Sequence, residues 1–78
     1  MGLDKAIRNA RQKSFYTQEA FAKELNVAVS TVNRWETGKS KPNLSAMKAL
    51  KDFCESHSIP YDKIESEWLI LDDNDKEQ

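Results

Sequence analysis

Structural punctuation is scarce in this chain. Its 78 residues include two glycines, two prolines, one cysteine and one histidine. A lone Cys54 cannot close an internal disulfide, which excludes a stapled secreted scaffold and suits a reducing, cytoplasmic setting. Cys54 and His57 stand at i, i+3, but a structural zinc site needs four ligands and the chain has no further Cys or His, so no metal is expected. With so few Gly and Pro and almost no strand-like alternation, a sandwich or barrel is excluded and an all-helical chain remains. No apolar run reaches about 18 residues, and the N-terminal stretch MGLDKAIRNARQK is charged where a signal peptide needs an apolar centre. Neither a membrane span nor an export signal is legible. Met1-Gly2 lacks the Ser or Thr at position six that myristoylation favours, because Ala6 stands there.

Catalytic groupings are missing too. There is no glycine-rich phosphate loop, and no Ser/His/Asp or Cys/His set with a third member. Glu65 and Glu67 lie two apart on a helix and point to different sides, a poor carboxylate pair. Neither enzyme activity nor a cofactor is expected.

What is present is a divided charge. Residues 1–51 carry ten Lys/Arg against four Asp/Glu, whereas residues 52–78 carry two against nine. The formal net charge of −1 conceals this division. A neutral total argues against a nucleic-acid partner only when the charges are mixed; a basic half beside an acidic half does not. The length supports one domain, near the lower limit for a core without metal or disulfide.

The apolar spacing then places five helices. Leu3, Ile7 and Ala10, with Ala6 beside them, share one face of a helix over residues 3–13. Thr17 is a good N-cap for a second, with Glu19 in its first turn; Phe21, Ala22 and Leu25 are its core positions and Asn26 its stop. Val27 tucks back inward. A third helix over 29–37 turns Val32, Trp35 and Glu36, with Ala28, to one side, and Ser30, Asn33, Arg34 and Thr37 to the other. Gly38 ends it, and Lys39-Ser40-Lys41-Pro42 is a basic loop. Asn43 caps a fourth helix whose expected buried stripe is Leu44, Met47, Leu50 and Phe53. Ser58-Ile59-Pro60 breaks it. Asp62 opens a fifth through Ile64, Trp68 and Leu69.

Residues 17–42, TQEAFAKELNVAVSTVNRWETGKSKP, are the most informative stretch: two short helices, a tight turn and a basic exit. With Ile7 and Arg11 before them, Thr17-Gln18-Glu19, Leu25, the run Val32-Asn33-Arg34-Trp35-Glu36-Thr37-Gly38-Lys39 and then Pro42 make the chain resemble the lambda-repressor/Cro-like (Xre) helix-turn-helix family. The resemblance covers residues 3–60. It implies a compact all-α bundle of four or five helices, with the third helix in the DNA major groove, and operator-binding homodimers that regulate transcription. Carried over by position, it implies base reading by Val29, Ser30, Asn33 and Arg34. Gln18 matches a phosphate contact that also buttresses the reading helix. Thr37, Lys39 and Lys41 match a phosphate-contacting loop, and Arg11 and Glu36 a structural ion pair. Two positions depart from the family pattern: Ala28 replaces the polar N-cap of the third helix, and Phe15 stands where the turn before the second helix often has Gly.

The residue types suit this role on their own chemistry. Arg can donate two hydrogen bonds to guanine O6 and N7, Asn can pair with adenine N6 and N7, Val can pack on a thymine methyl, and Ser can serve base or phosphate. Lys39 and Lys41 supply charge without sequence information. Free N–H groups at the start of the second helix suit a phosphate. Without the flanking pattern, each has a plainer reading. Ser30, Asn33 and Arg34 could be a solvated helix face, Lys39 and Lys41 a solvated loop, and Arg11 and Glu36 two unrelated charges. Trp35, on the Val32 side, is expected as a core or interhelix residue rather than a base-stacking one.

The expected organisation is a DNA-binding domain at 1–60, a C-terminal helix or dimerisation segment at 61–71 and a loose acidic tail at 72–78. The first expectation is a sequence-specific binder of double-stranded DNA that represses transcription from a palindromic operator as a homodimer. A second is an antitoxin or mobile-element control protein whose segment 62–71, with its apolar run Trp68-Leu69-Ile70-Leu71, binds another protein. A third is an interaction module that has lost DNA binding, its carboxylates competing with phosphates for the basic face.

Overall fold

The computed structural model describes the backbone of residues 2–76 and the side chains of residues 2–70. Among these the chain forms α1 (Gly2–Lys13), α2 (Gln18–Leu25), α3 (Val29–Glu36), α4 (Leu44–Ser56) and α5 (Asp62–Lys76), with no strand. The all-α architecture is the one the apolar spacing predicts. The loose tail expected at 72–78 falls on residues whose side chains, and at 77–78 whose backbone, lie outside the described part.

Four helices stop by the same device. Phe15, Asn26, Gly38 and Ser58 follow α1 to α4 with φ of 61°, 61°, 78° and 57°. The next residue in each case returns its N–H to a carbonyl five positions back: Tyr16 to Arg11, Val27 to Ala22, Lys39 to Arg34 and Ile59 to Cys54, at 2.8–3.2 Å. Three of those followers, Tyr16, Val27 and Ile59, are apolar and pack against the core. The left-handed residue thus turns the chain sharply while keeping the last carbonyls bonded. Only Gly38 adopts this backbone without a Cβ penalty.

The starts differ more. Thr17 Oγ1 accepts from the N–H of Ala20 at 3.1 Å, and Asn43 Oδ1 from that of Ala46 at 2.9 Å. Ala28 has the extended cap backbone (φ −72°, ψ 149°) but no side-chain bond to offer. The start of α3 is therefore capped by geometry alone.

Ile7, Phe21, Val32, Leu50, Cys54 and Ile64 are fully buried, one or two from each helix. Phe53 meets Phe21 edge-on at 5.0 Å between centroids, and Tyr16 meets Phe53 likewise at 5.1 Å. Leu44, expected in the buried stripe of α4, is 68% exposed; Ala46 and Cys54 join Met47, Leu50 and Phe53 there instead. Leu44 opens the helix directly after the Asn43 cap, where the chain is still entering from outside. Helix α3 packs between α1 and α2, α2 also meets α4, and α5 lies on α1. This arrangement holds α3 from behind and leaves its other side outward.

Candidate nucleic-acid interface

Helix α3 has only two turns, and burial divides it cleanly. Val32, Trp35 and Glu36 are buried, while Val29, Ser30, Asn33 and Arg34 are exposed, with Thr37 just beyond on the same side. Positions 29, 30, 33, 34 and 37 follow the i, i+1, i+4 rhythm of one helical ridge. Among the described residues, no hydrogen bond or ion pair engages the side chains of Ser30, Asn33 or Arg34, so their donors face outward unspent. Trp35 is 3% exposed and belongs to the core, not to a stacking surface.

The ridge is aimed by a buried carboxylate at the end of α3. Glu36 is 3% exposed. Arg11 of α1 grips it with a two-pronged fork, Nε to Oε2 at 2.7 Å and Nη2 to Oε1 at 2.9 Å. Gln18, the first residue of α2, donates its amide to Oε1 at 3.0 Å. Arg8 stands 3.8 Å from Oε1 and donates to the Glu36 carbonyl at 3.4 Å. The remaining Arg11 nitrogen, Nη1, donates to the Tyr16 carbonyl at 2.9 Å, fixing the turn before α2. Hydrogen bonding to Glu36 raises the Arg11 pKa against the opposing effect of burial. One side chain thereby ties α1, α2 and α3 together. Because each amide has two N–H groups, Gln18 can buttress Glu36 and still offer a donor outward.

The loop after α3 is less open than its composition suggests. The Thr37 hydroxyl donates to the carbonyls of Asn33 and Arg34 at 2.9 and 3.3 Å, and its N–H to Asn33 at 3.0 Å. Its donors are thus spent on the helix end. Lys39 is exposed, whereas Lys41 is half-buried with its Nζ withdrawn from solvent. As placed, Lys39 is the loop cation that faces outward. A cleft of about 520 Å³ adjoins the ridge here, with Thr31, Arg34, Ser40 and Lys41 among its walls.

Residues 7–56 match the family described as Helix-turn-helix. The chain belongs to the helix-turn-helix family. The match runs from the middle of α1 to the end of α4, including the ridge and its anchor, and it is the lambda-repressor/Cro-like (Xre) kind of helix-turn-helix that the motifs resemble. The chain is similar to the HTH-type transcriptional activator BcrR of Enterococcus faecalis, at 30% identity over 53 residues. That stretch is 68% of this chain but 26% of BcrR, so the chain spans about a quarter of that relative's length. No solved structure matches the chain.

Two residues of this helix-turn-helix site escaped the sequence reading. Arg8 is a second cation at the Glu36 anchor; its place three residues before Arg11, on the same helical side, was the available signal. Trp68 of α5 donates its indole N–H to the Pro42 carbonyl at 2.6 Å. No local pattern announces a contact across 26 residues. His57 and Cys54 are absorbed by structure: the His57 ring stacks on Phe53 at 4.3 Å, and Cys54 is buried, its thiol pKa pushed up to about 11 by burial. No described helix is long and apolar enough to cross a membrane.

Proposed function

We propose that the chain is a sequence-specific regulator that binds a palindromic operator in double-stranded DNA as a homodimer and represses transcription by occlusion. The observation that carries this reading is the ridge of Ser30, Asn33 and Arg34: outward, unspent, and mounted on a helix tied at its far end through Glu36. Arg34 and Asn33 supply bidentate base readout, Val29 an apolar contact and Ser30 a base or phosphate contact. The N-terminus of α2 at Gln18 and the exposed Lys39 hold the phosphates on either side. Occlusion needs nothing beyond stable binding, whereas activation needs a further contact with the transcription machinery.

The homodimer is supported by exposed apolar residues on α4 and α5. Leu44, Leu69 and Ile70 are 68%, 46% and 56% exposed. Lys48 and Lys51 stand on the α4 rim of the shallow cleft there and Glu65 on the α5 rim, so a two-fold copy would meet opposite charge across it. Two subunits then present α3 to successive major grooves, with half-sites about 34 Å apart.

Selection from random duplexes, followed by anisotropy titration at physiological salt and sedimentation of the free protein, tests this. The expected result is an enriched palindrome, a dimeric mass, and loss of reporter expression when the palindrome overlaps a promoter. No preference for any duplex over random sequence counts against operator reading. A monomer that gains mass only with a second protein favours the antitoxin-like alternative.

A further inference from the structure

We propose that Trp68 is a positioning residue for DNA binding: from α5, outside the family-matched region, it pins the loop that carries Lys39. The DNA part of this rests on the interface proposed above. The loop spans residues 39–42 between two fixed ends. At one end Gly38 and Lys39 return their N–H groups to Trp35 and Arg34, at 3.3 and 2.9 Å. At the other, Asn43 caps α4, whose first backbone bond runs from Met47 to Asn43. Pro42 therefore lies just outside the α4 ladder, and its ring is fully buried. Its carbonyl is an acceptor that needs a partner there, and the Trp68 indole N–H supplies one at 2.6 Å.

The donor is held in place by its own helix. Ile64 and Trp68, at i and i+4, share one face of α5, and Tyr61 stands just before its first residue. The Tyr61 hydroxyl donates to the Met47 carbonyl at 2.9 Å, and Ile64 is 1% exposed. This stretch is thus bonded at both ends to α4 and its entry loop and packed in the middle. An indole has a single N–H and no acceptor, so this bond takes up the one polar group Trp68 has. It sets the span in which Lys39 stands relative to the α3 ridge. Helix α5 becomes part of the DNA site without touching DNA.

The test combines Trp68→Phe, which keeps an apolar ring and removes the N–H, with Lys39→Ala. Amide exchange without DNA should speed up about tenfold or more at Ser40 and Lys41 in Trp68→Phe, while α2 and α3 keep their protection relative to global unfolding. On the selected duplex, Trp68→Phe should weaken binding about 3- to 10-fold for all sequences alike. Lys39→Ala should cost less in that background than in the wild type, because the two act through one loop. In the wild type, which avoids any folding defect of the variant, the Trp68 indole N–H should be protected and its resonance should move when the duplex is added. Unchanged loop exchange, additive losses or an unmoved indole signal each overturn the proposal. Failure of every duplex to bind would instead sink the DNA reading and leave the loop-exchange result to judge the pin itself.

Discussion

Arg11 and Glu36 meet through two parallel hydrogen bonds of 2.7 and 2.9 Å, at a point where three helices converge. The Glu36 side chain is 1% exposed and the Arg11 side chain 14%. Such a pair contributes little net stability over an apolar substitute, yet breaking it strands a buried charge. Arg11→Ala should therefore destabilise the fold by about 3–5 kcal/mol, measured by urea unfolding. Arg8 and Gln18 still reach the carboxylate, which puts the expected value toward the lower end. The double variant Arg11→Met with Glu36→Leu should recover much of the loss while loosening the angle of α3. A loss below about 1 kcal/mol for Arg11→Ala would place the pair with ordinary surface ion pairs.

Phe15 offers the opposite opportunity. It is 95% exposed and holds φ at 61°, so its ring gains nothing from burial and its Cβ opposes the backbone. Phe15→Gly should stabilise the chain by about 1 kcal/mol, the left-handed penalty exceeding the added freedom of the unfolded chain. For a domain this size that is a rise of roughly 4–8 °C in Tm. The same reasoning applied to Ala28 favours Ser, since the cap backbone is already extended and only the oxygen is missing.

Tyr61 should give the molecule an alkaline limit. Burial, with lesser contributions from Glu65 and Cys54, pushes its phenol pKa from 10.0 up to about 12. The folded state thus prefers the neutral phenol, which donates to the Met47 carbonyl at 2.9 Å. That stabilisation is whole below pH 10 and is lost as pH rises through about 12. Chemical denaturation at stepped pH should show Tyr61→Phe less stable than wild type at neutral pH, with a shallower decline above pH 10. Parallel curves would remove Tyr61 from the account of alkaline unfolding.

Much of this was legible in the sequence, for reasons that show where legibility stops. Caps and periodicity are local, so Thr17, Asn26, Gly38 and Asn43 mark helix ends within the residues that form them. The outward side of α3 follows from Val32 and Trp35 being apolar, because two turns leave only one other face. Leu44 misled because apolar spacing does not say where a helix enters the bundle. The spending of the Thr37 hydroxyl on its own helix, the withdrawal of the Lys41 ammonium and the Trp68 bond to Pro42 depend on side-chain direction or tertiary contact. Spacing encodes none of those. Phe15 departs from the family pattern by residue type alone, whereas its left-handed backbone appears only in the structure.

The most direct measurement is a titration of wild type, Arg34→Ala, Asn33→Ala and Lys39→Ala against the selected operator and its single-base variants, over a series of salt concentrations. Arg34→Ala and Asn33→Ala should each erase discrimination worth about 1–3 kcal/mol at their own base pair. Lys39→Ala should weaken every duplex alike and reduce the salt slope by about 1. If base preference survives intact in both ridge variants, α3 does not read the sequence and the outward ridge is only a solvated face.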